Sequence, residues 1–218
     1  MTNVIVESYE LIADSEKATG MKSYMRNQFE FFGIPRPERK VANTILLKEV
    51  DALPVNERIK LVRNLWKAPQ RELQYFAMEA ISRKKKEWPP NIHLLFDEML
   101  LKKSWWDTVD FIAVNLCGPY LELFPEMKKQ KLADWTGSKS FWMHRTAILY
   151  QLKYKARTDE KLLFTLCRRY AGEKEFFIRK AIGWSLREYS KTAPAKVRNL
   201  FREAEFSPLS VKEGSKYL

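Results

Sequence analysis

"FWMHRTAILYQL" (Phe141–Leu152) and "EFFIRKAIGWSL" (Glu175–Leu186) decide the fold. Laid one on the other, Arg145 falls on Arg179, Ala147 on Ala181, Ile148 on Ile182 and Leu152 on Leu186, a constant separation of 34 residues. "WWDTVDFIAVNL" (Trp105–Leu116) lies one similar step earlier, with Ala113 opposite Ala147. "ELQYFAMEAI" (Glu72–Ile81) fits more loosely before that, with Ala77 in the same place. Apolar residues in these segments recur at three and four, the period of a helix and not of a strand. A repeat of this length carried by helices is the mark of an α-solenoid, in which each helix pair buries its apolar face on its neighbours. The small alanine lets those helices close on one another.

Turn signals divide the rest of the chain into helix-length pieces: Pro35 with Pro37, Pro54, Pro69, Pro89–Pro90, Gly118–Pro119, Gly137, Gly172 and Pro194. About a dozen helices with short links are expected, and no strand. The repeats are degenerate, so the expected fold is all-α: a right-handed solenoid of HEAT-like repeats forming one domain over residues 1–218, with equivalent helices lining a concave basic surface. "SRKKKEW" (Ser82–Trp88) reads as a solvated helix end. With only 7 glycines in 218 residues, phosphate-cradling glycine loops and turn-rich β-sandwiches are unlikely architectures.

The formal charge of +12 and pI near 9.6 point to a polyanionic partner: nucleic acid, an anionic membrane surface or an acidic protein. Cys117 and Cys167 stand far apart in apolar helical patterns and read as buried free thiols, which fits a reducing cytoplasm. The N-terminus lacks the basic start and apolar core of a signal peptide, and no apolar run reaches membrane-spanning length. His93 and His144 have no metal-spaced partners, and no Ser-His-Asp order, P-loop or HExxH is present. No metal or cofactor is therefore expected.

In "KKSWWDTVD" (Lys102–Asp110), Ser104 and Asp107 have the spacing of a helix capping box. Asp110 lies past the first turn, four residues after Trp106, so the two share a helix face. An indole and a carboxylate on one face can bound a pocket. They can equally be a core tryptophan beside a surface acid paired with a lysine. Trp184 stands where leucine would serve a purely structural pattern, with Arg187 on its face. Gly183 weakens that helix by about 1 kcal/mol relative to alanine, which is easier to explain if something approaches closely there. Arg145 sits inside an apolar run; Lys153 and Lys155 extend its helix with positive charge, as Arg179 and Lys180 do for the next. Aromatic planes interleaved with arginine and lysine over adjacent repeats suit phosphates and sugars.

"SWWDTVD", "HRTAILYQLKYK" and "KEFFIRKAIGWSLREYSKT" resemble the signature segments of the AlkD-type DNA alkylation repair glycosylases, HEAT-like-repeat bacterial proteins. The resemblance runs through "YMRNQFEFFGIPRPERK" and "LWKAPQRELQYFAMEAI" to "LSVKEGSKYL" and covers nearly the whole chain. It implies hydrolysis of the N-glycosidic bond of N3- and N7-alkylated purines in duplex DNA, with no strand cleavage. It implies Asp110 as catalytic carboxylate, Trp106 and Trp184 as walls beside the lesion's deoxyribose, and Arg145 contacting the backbone next to it. Tyr24 would line the same cleft. Lys153, Arg187, Arg179 and Lys180 would belong to the DNA-binding face. A monomer working on DNA in the cytoplasm, at the nucleoid, is the corresponding expectation. Two other readings stand beside it: a non-enzymatic DNA-binding HEAT-like scaffold that senses distorted duplex, and a protein-binding scaffold.

Overall fold

Prolines and capping side chains set where the helices begin. Asp14 accepts from the Glu16 and Lys17 amides at 3.1 and 3.0 Å, and Asp159, Glu175 and Ser207 cap later helices in the same way. Pro35 and Pro54 stand at N-caps; Pro194 and Pro208 open their helices, where a missing N–H costs nothing. The computed structural model describes all 218 residues. It is helical throughout, apart from one isolated parallel bridge, Glu30–Gln70.

The chain divides into two compact units, Met1–Leu95 and Phe96–Leu218. The first holds α1 (Thr2–Glu10), α2 (Ser15–Tyr24), α3 (Arg36–Ala52), α4 (Val55–Lys67), α5 (Arg71–Ser82) and the start of α6 (His93–Leu101). Its core meets at Tyr9, whose ring is edge-on to Phe32 and Phe76 at 5.9 and 6.3 Å. The Tyr9 hydroxyl donates to Asn43 Oδ1 (2.5 Å), and Asn43 Nδ2 donates to Glu79 Oε2 (2.9 Å). The fully buried Glu72 carboxylate accepts from three backbone amides, Phe32, Gly33 and Ile34, at 3.1, 2.9 and 3.1 Å. Gly33 is obligatory in that loop: its φ is +85°, and a Cβ would lie 1.9 Å from the Asp14 carbonyl oxygen.

The second unit holds the end of α6 and then α7 (Trp106–Ile112), α8 (Gly118–Leu123), α9 (Lys128–Gly137), α10 (Phe141–Leu149), α11 (Glu160–Arg169), α12 (Phe176–Ser190), α13 (Pro194–Glu203) and α14 (Pro208–Gly214). Gly118–Pro119 is not the break expected of it. A π-helical turn, Ala113–Cys117, runs straight into α8. Proline at 119 cannot donate to the carbonyl one turn back and its ring crowds it, and the wider turn accommodates both facts. Glycine at 118 has a separate reason: a Cβ there would lie 2.5 Å from the Tyr150 carbonyl oxygen. The expected helix through Lys153 and Lys155 also stops early. Beyond Leu149 the Leu152 and Tyr154 amides turn back to Leu149 and Gln151 (2.9 and 2.8 Å), and Lys155 takes a φ of 54°. Its left-handed backbone ends any continuation of α10.

The spacing of about 34 residues recurs in the packing. Ala77, Ala113, Ala147 and Ala181 are all fully buried. Side-chain contacts recur at about one repeat in each unit: Tyr9 to Asn43 and Asp97 to Lys131 are 34 residues apart, and Asp110 to Arg145 and Arg168 to Glu203 are 35 apart. Helix α10 packs against both α7 and α12. Cys117 and Cys167 are buried free thiols, and no helix is long and apolar enough to cross a membrane.

Candidate active site

Three helices bring the candidate residues together, and an aromatic cluster holds their first turns. Trp105, at the N-cap of α7, lies 5.8 Å from Trp142 and 5.4 Å from Phe177. Trp142 and Phe177 are 4.9 Å apart, and Phe141 stacks parallel to Phe177 at 6.4 Å. Each such ring buries a large apolar area, so the relative position of α7, α10 and α12 is fixed by packing rather than by the polar residues above it. The expected capping box at the start of α7 is absent. Ser104 Oγ instead donates back to the Leu100 carbonyl at 2.5 Å, closing α6, and the N-cap residue of α7 is Trp105, whose side chain makes no capping hydrogen bond.

One turn into α7, Asp110 meets Arg145 of α10 in a two-pronged ion pair: Nε to Oδ1 at 2.6 Å and Nη2 to Oδ2 at 2.8 Å. The third guanidinium nitrogen, Nη1, donates to the Phe177 carbonyl. Arg145 is 2% exposed and Asp110 18%. Arg145 thus faces the carboxylate and the α12 backbone. The alternative reading of Asp110, a surface acid paired with a lysine, is not what is found: its partner is a buried arginine. Burial pushes the Asp110 carboxyl above the ordinary carboxylate range; Arg145's hydrogen bonds and charge pull it back in part, and Asp107 adds to the rise. The result is an acid that is oriented by a rigid fork of donors, open to solvent at one edge and stripped of much of its hydration.

Trp184 of α12 joins the pair through its ring. The Arg145 and Arg187 guanidinium carbons each lie 5.7 Å from its centroid. Trp106, the first residue of α7, is partly exposed one turn before Asp110. Among the expected phosphate contacts, Arg187 and Lys180 reach one carboxylate, Glu213 of α14, at 3.2 and 3.0 Å. Lys153 is exposed and donates to Asn115 Oδ1 in the π-helical turn at 2.8 Å. Arg179 is partly buried; its Nε has no hydrogen-bond partner, and its carbonyl accepts from Ser210 Oγ at 3.0 Å. Tyr24 ends α2 in the first unit and is 72% exposed. His144 is occupied structurally, 2.8 Å from the Ser138 carbonyl and stacked on Tyr170 at 4.8 Å. No group of three or more His, Cys, Asp and Glu side chains could hold a metal ion.

Two residues of this constellation escaped the sequence reading. Asn115, in the π-helical turn, accepts from Lys153, a partner 38 residues on. Glu213 was signalled indirectly by Gly183, since what approaches that glycine is α14. A Cβ at 183 would lie 2.5 Å from Glu213 Cβ and 3.0 Å from the Ser210 carbonyl oxygen.

A buried carboxylate held by an arginine fork beside indole faces defines a site suited to a sugar or cation on a polyanion, carried on an all-helical scaffold. Residues 5–218 match the family of DNA alkylation repair enzymes, and the chain belongs to that family. Among solved structures, a predicted DNA alkylation repair enzyme from Enterococcus faecalis is similar, with a TM-score of 0.88 and 36% identity. That match covers 94% of this chain and 96% of the other. No curated protein gives a significant match.

Proposed function

We propose that the protein is a monofunctional DNA glycosylase that hydrolyses the N-glycosidic bond of cationic N3- and N7-alkylpurines in duplex DNA. The observation that carries this reading is the Asp110–Arg145 pair with Trp184 against it, in a member of a DNA alkylation repair family. A purine alkylated at N3 or N7 already bears positive charge and leaves without much help from an acid. As its bond to C1′ breaks, positive charge moves onto the deoxyribose. A carboxylate fixed in advance, in a site where water does not screen it, stabilises that developing charge far more than the same group free in solution. The Asp110 oxygen edge left open by Arg145 can also orient the attacking water and take its proton. Indole faces at Trp106 and Trp184 attract the cationic sugar at about 0.5–2 kcal/mol each. Arg145 is a positioning residue in this scheme: it fixes the rotamer of Asp110 and keeps it ionised. Lys153, Lys180, Arg187 and Arg179 would hold the DNA backbone, and Tyr24, in the first unit, is proposed as a DNA contact of its own. We read the chain as a monomer of HEAT-like repeats, acting on DNA in the cytoplasm.

The test is incubation with duplex DNA containing N7-methylguanine, followed by separate assays for free base and for nicked strand. Release of 7-methylguanine with the phosphodiester backbone intact is expected. Salt-sensitive binding to the duplex without base release would leave only a non-enzymatic DNA-binding protein, and absence of binding at moderate salt would remove DNA altogether.

A further inference from the structure

Helix α14 carries no residue expected to act, yet one of its side chains gathers the cationic edge of the site. Glu213 is 9% exposed. Its Oε1 accepts from Lys180 Nζ at 3.0 Å; its Oε2 accepts from Arg187 Nη1 at 3.2 Å and Lys216 Nζ at 2.9 Å. Two features seat the carboxylate there. Gly183 leaves the space in which the Glu213 Cβ lies, and Ser210 Oγ ties α14 to the Arg179 carbonyl of α12.

The contacts then run without a gap to the reacting group. Glu213 holds Arg187, whose guanidinium lies over the Trp184 ring. Arg145 lies against the same ring at an equal 5.7 Å, and Arg145 holds both oxygens of Asp110. Without Glu213, the three cations it gathers, Lys180, Arg187 and Lys216, would repel one another. A single carboxylate against three cations leaves the patch net positive while fixing where each charge sits. That is what a phosphate-binding edge needs, because side chains ordered in advance lose less freedom when DNA arrives.

We propose that Glu213 is a positioning residue that locks Arg187 against Trp184 and Lys180 beside it, so that the C-terminal helix sets the indole wall of the site. The proposal rests on the glycosylase reading for what the wall does, but not for whether Glu213 holds it. The carboxylate is charged throughout the working pH range: its pKa is lowered to about 2 by hydrogen bonds from Lys216 and Lys180 and by their charges. The contribution is present above the ordinary glutamate value of 4.5 and is lost only as pH falls through about 2, so it does not vary where the enzyme works.

The experiment is E213Q in the full chain, read in three ways. The indole N–H resonance of Trp184, assigned with W184F, should shift, while those of Trp135 and Trp142 in the same unit stay in place. Affinity for undamaged duplex should hold or rise, because one negative charge is gone. Single-turnover release of 7-methylguanine at saturating protein should fall about ten- to hundred-fold, the effect of a misplaced site residue. A further E213Q substitution in an R187M background should add little to the loss, since Glu213 acts through Arg187. Tighter binding with an unmoved Trp184 resonance and unchanged rate would mean that Glu213 only opposes DNA by its charge, and would overturn the proposal. An additive loss in the double variant would overturn it too. If E213Q does not fold, E213D keeps the charge and withdraws it by one methylene, and the Trp184 resonance is read in the same way. Should the unaltered protein release no base, the glycosylase reading fails by itself, and the resonance still decides the role of Glu213.

Discussion

Glu72 in the first unit and Asp110 in the second are both carboxylates withdrawn from water, and they are satisfied by opposite means. Glu72 accepts only from backbone: three consecutive amides of the Phe32–Ile34 loop, around a glycine that tolerates no side chain. Asp110 accepts from another side chain, the Arg145 fork, and keeps 18% of its surface. The first arrangement uses the acid to hold the chain in shape. The second uses the chain to hold the acid in shape, leaving an oxygen edge for something else. On the proposed reading, burial alone does not separate the acting carboxylate from the structural one; the kind of partner and the remaining exposure separate these two.

The comparison can be broken from either side. The largest effect is expected for R145M. It leaves Asp110 half-desolvated and unpaired, costs about 2–4 kcal/mol of stability by denaturant unfolding, and lowers base release at neutral pH at least a hundred-fold. Stability loss with normal release would show that Arg145 is only a strut. E72Q is expected to destabilise by about 2–3 kcal/mol, because an amide nitrogen then faces buried N–H groups. Its single-turnover rate in the folded fraction should match that of the unaltered protein, and a specific rate defect would erase the distinction drawn above. Gly183→Ala should destabilise by about 1–3 kcal/mol although alanine is the better helix former by about 1 kcal/mol, because the added Cβ would lie 2.5 Å from Glu213 Cβ and 3.0 Å from the Ser210 carbonyl oxygen of α14. A neutral or stabilising result would remove close packing of α14 as the reason for glycine.

The smallest effect is a displacement in pH. The folded pKa of Asp110 is raised above its ordinary 3.8, so the native state holds that proton more tightly than the unfolded chain does. Its contribution to stability therefore declines as pH rises from 3.8 through the folded value, while activity needs the ionised form and is lost as pH falls through it. Base release should show an acid limb with a midpoint above 3.8 that moves higher in R145K if the weaker fork supports the charge less well. A limb at or below the ordinary value would contradict the role given to burial.

What was legible in the sequence was what is local or periodic. The buried alanines at 77, 113, 147 and 181 and the helices that carry the last three of them follow from spacing alone. Trp106 and Asp110 on one face required only the helical period. What was not legible depends on atoms far away in the chain. Ser104 looked like a cap for α7, but its hydroxyl is taken by Leu100 of the preceding helix. Gly118–Pro119 looked like a break, but a π-helical turn absorbs the proline. Arg145 stood out as an arginine in an apolar run, but its partners, Asp110 on another helix and the Phe177 carbonyl, could not be read from the sequence. Gly183 announced a close approach without naming the visitor, which lies some thirty residues on in α14.

The central claim is that Asp110 does chemistry rather than binding. Its most direct test is single-turnover release of 7-methylguanine at saturating protein, comparing the unaltered chain with Asp110→Asn after both are shown to fold and to bind the duplex with similar affinity. A rate lower by about 10²–10³-fold at equal occupancy is the predicted result. Equal rates, or a deficit that vanishes once occupancy is matched, would contradict it.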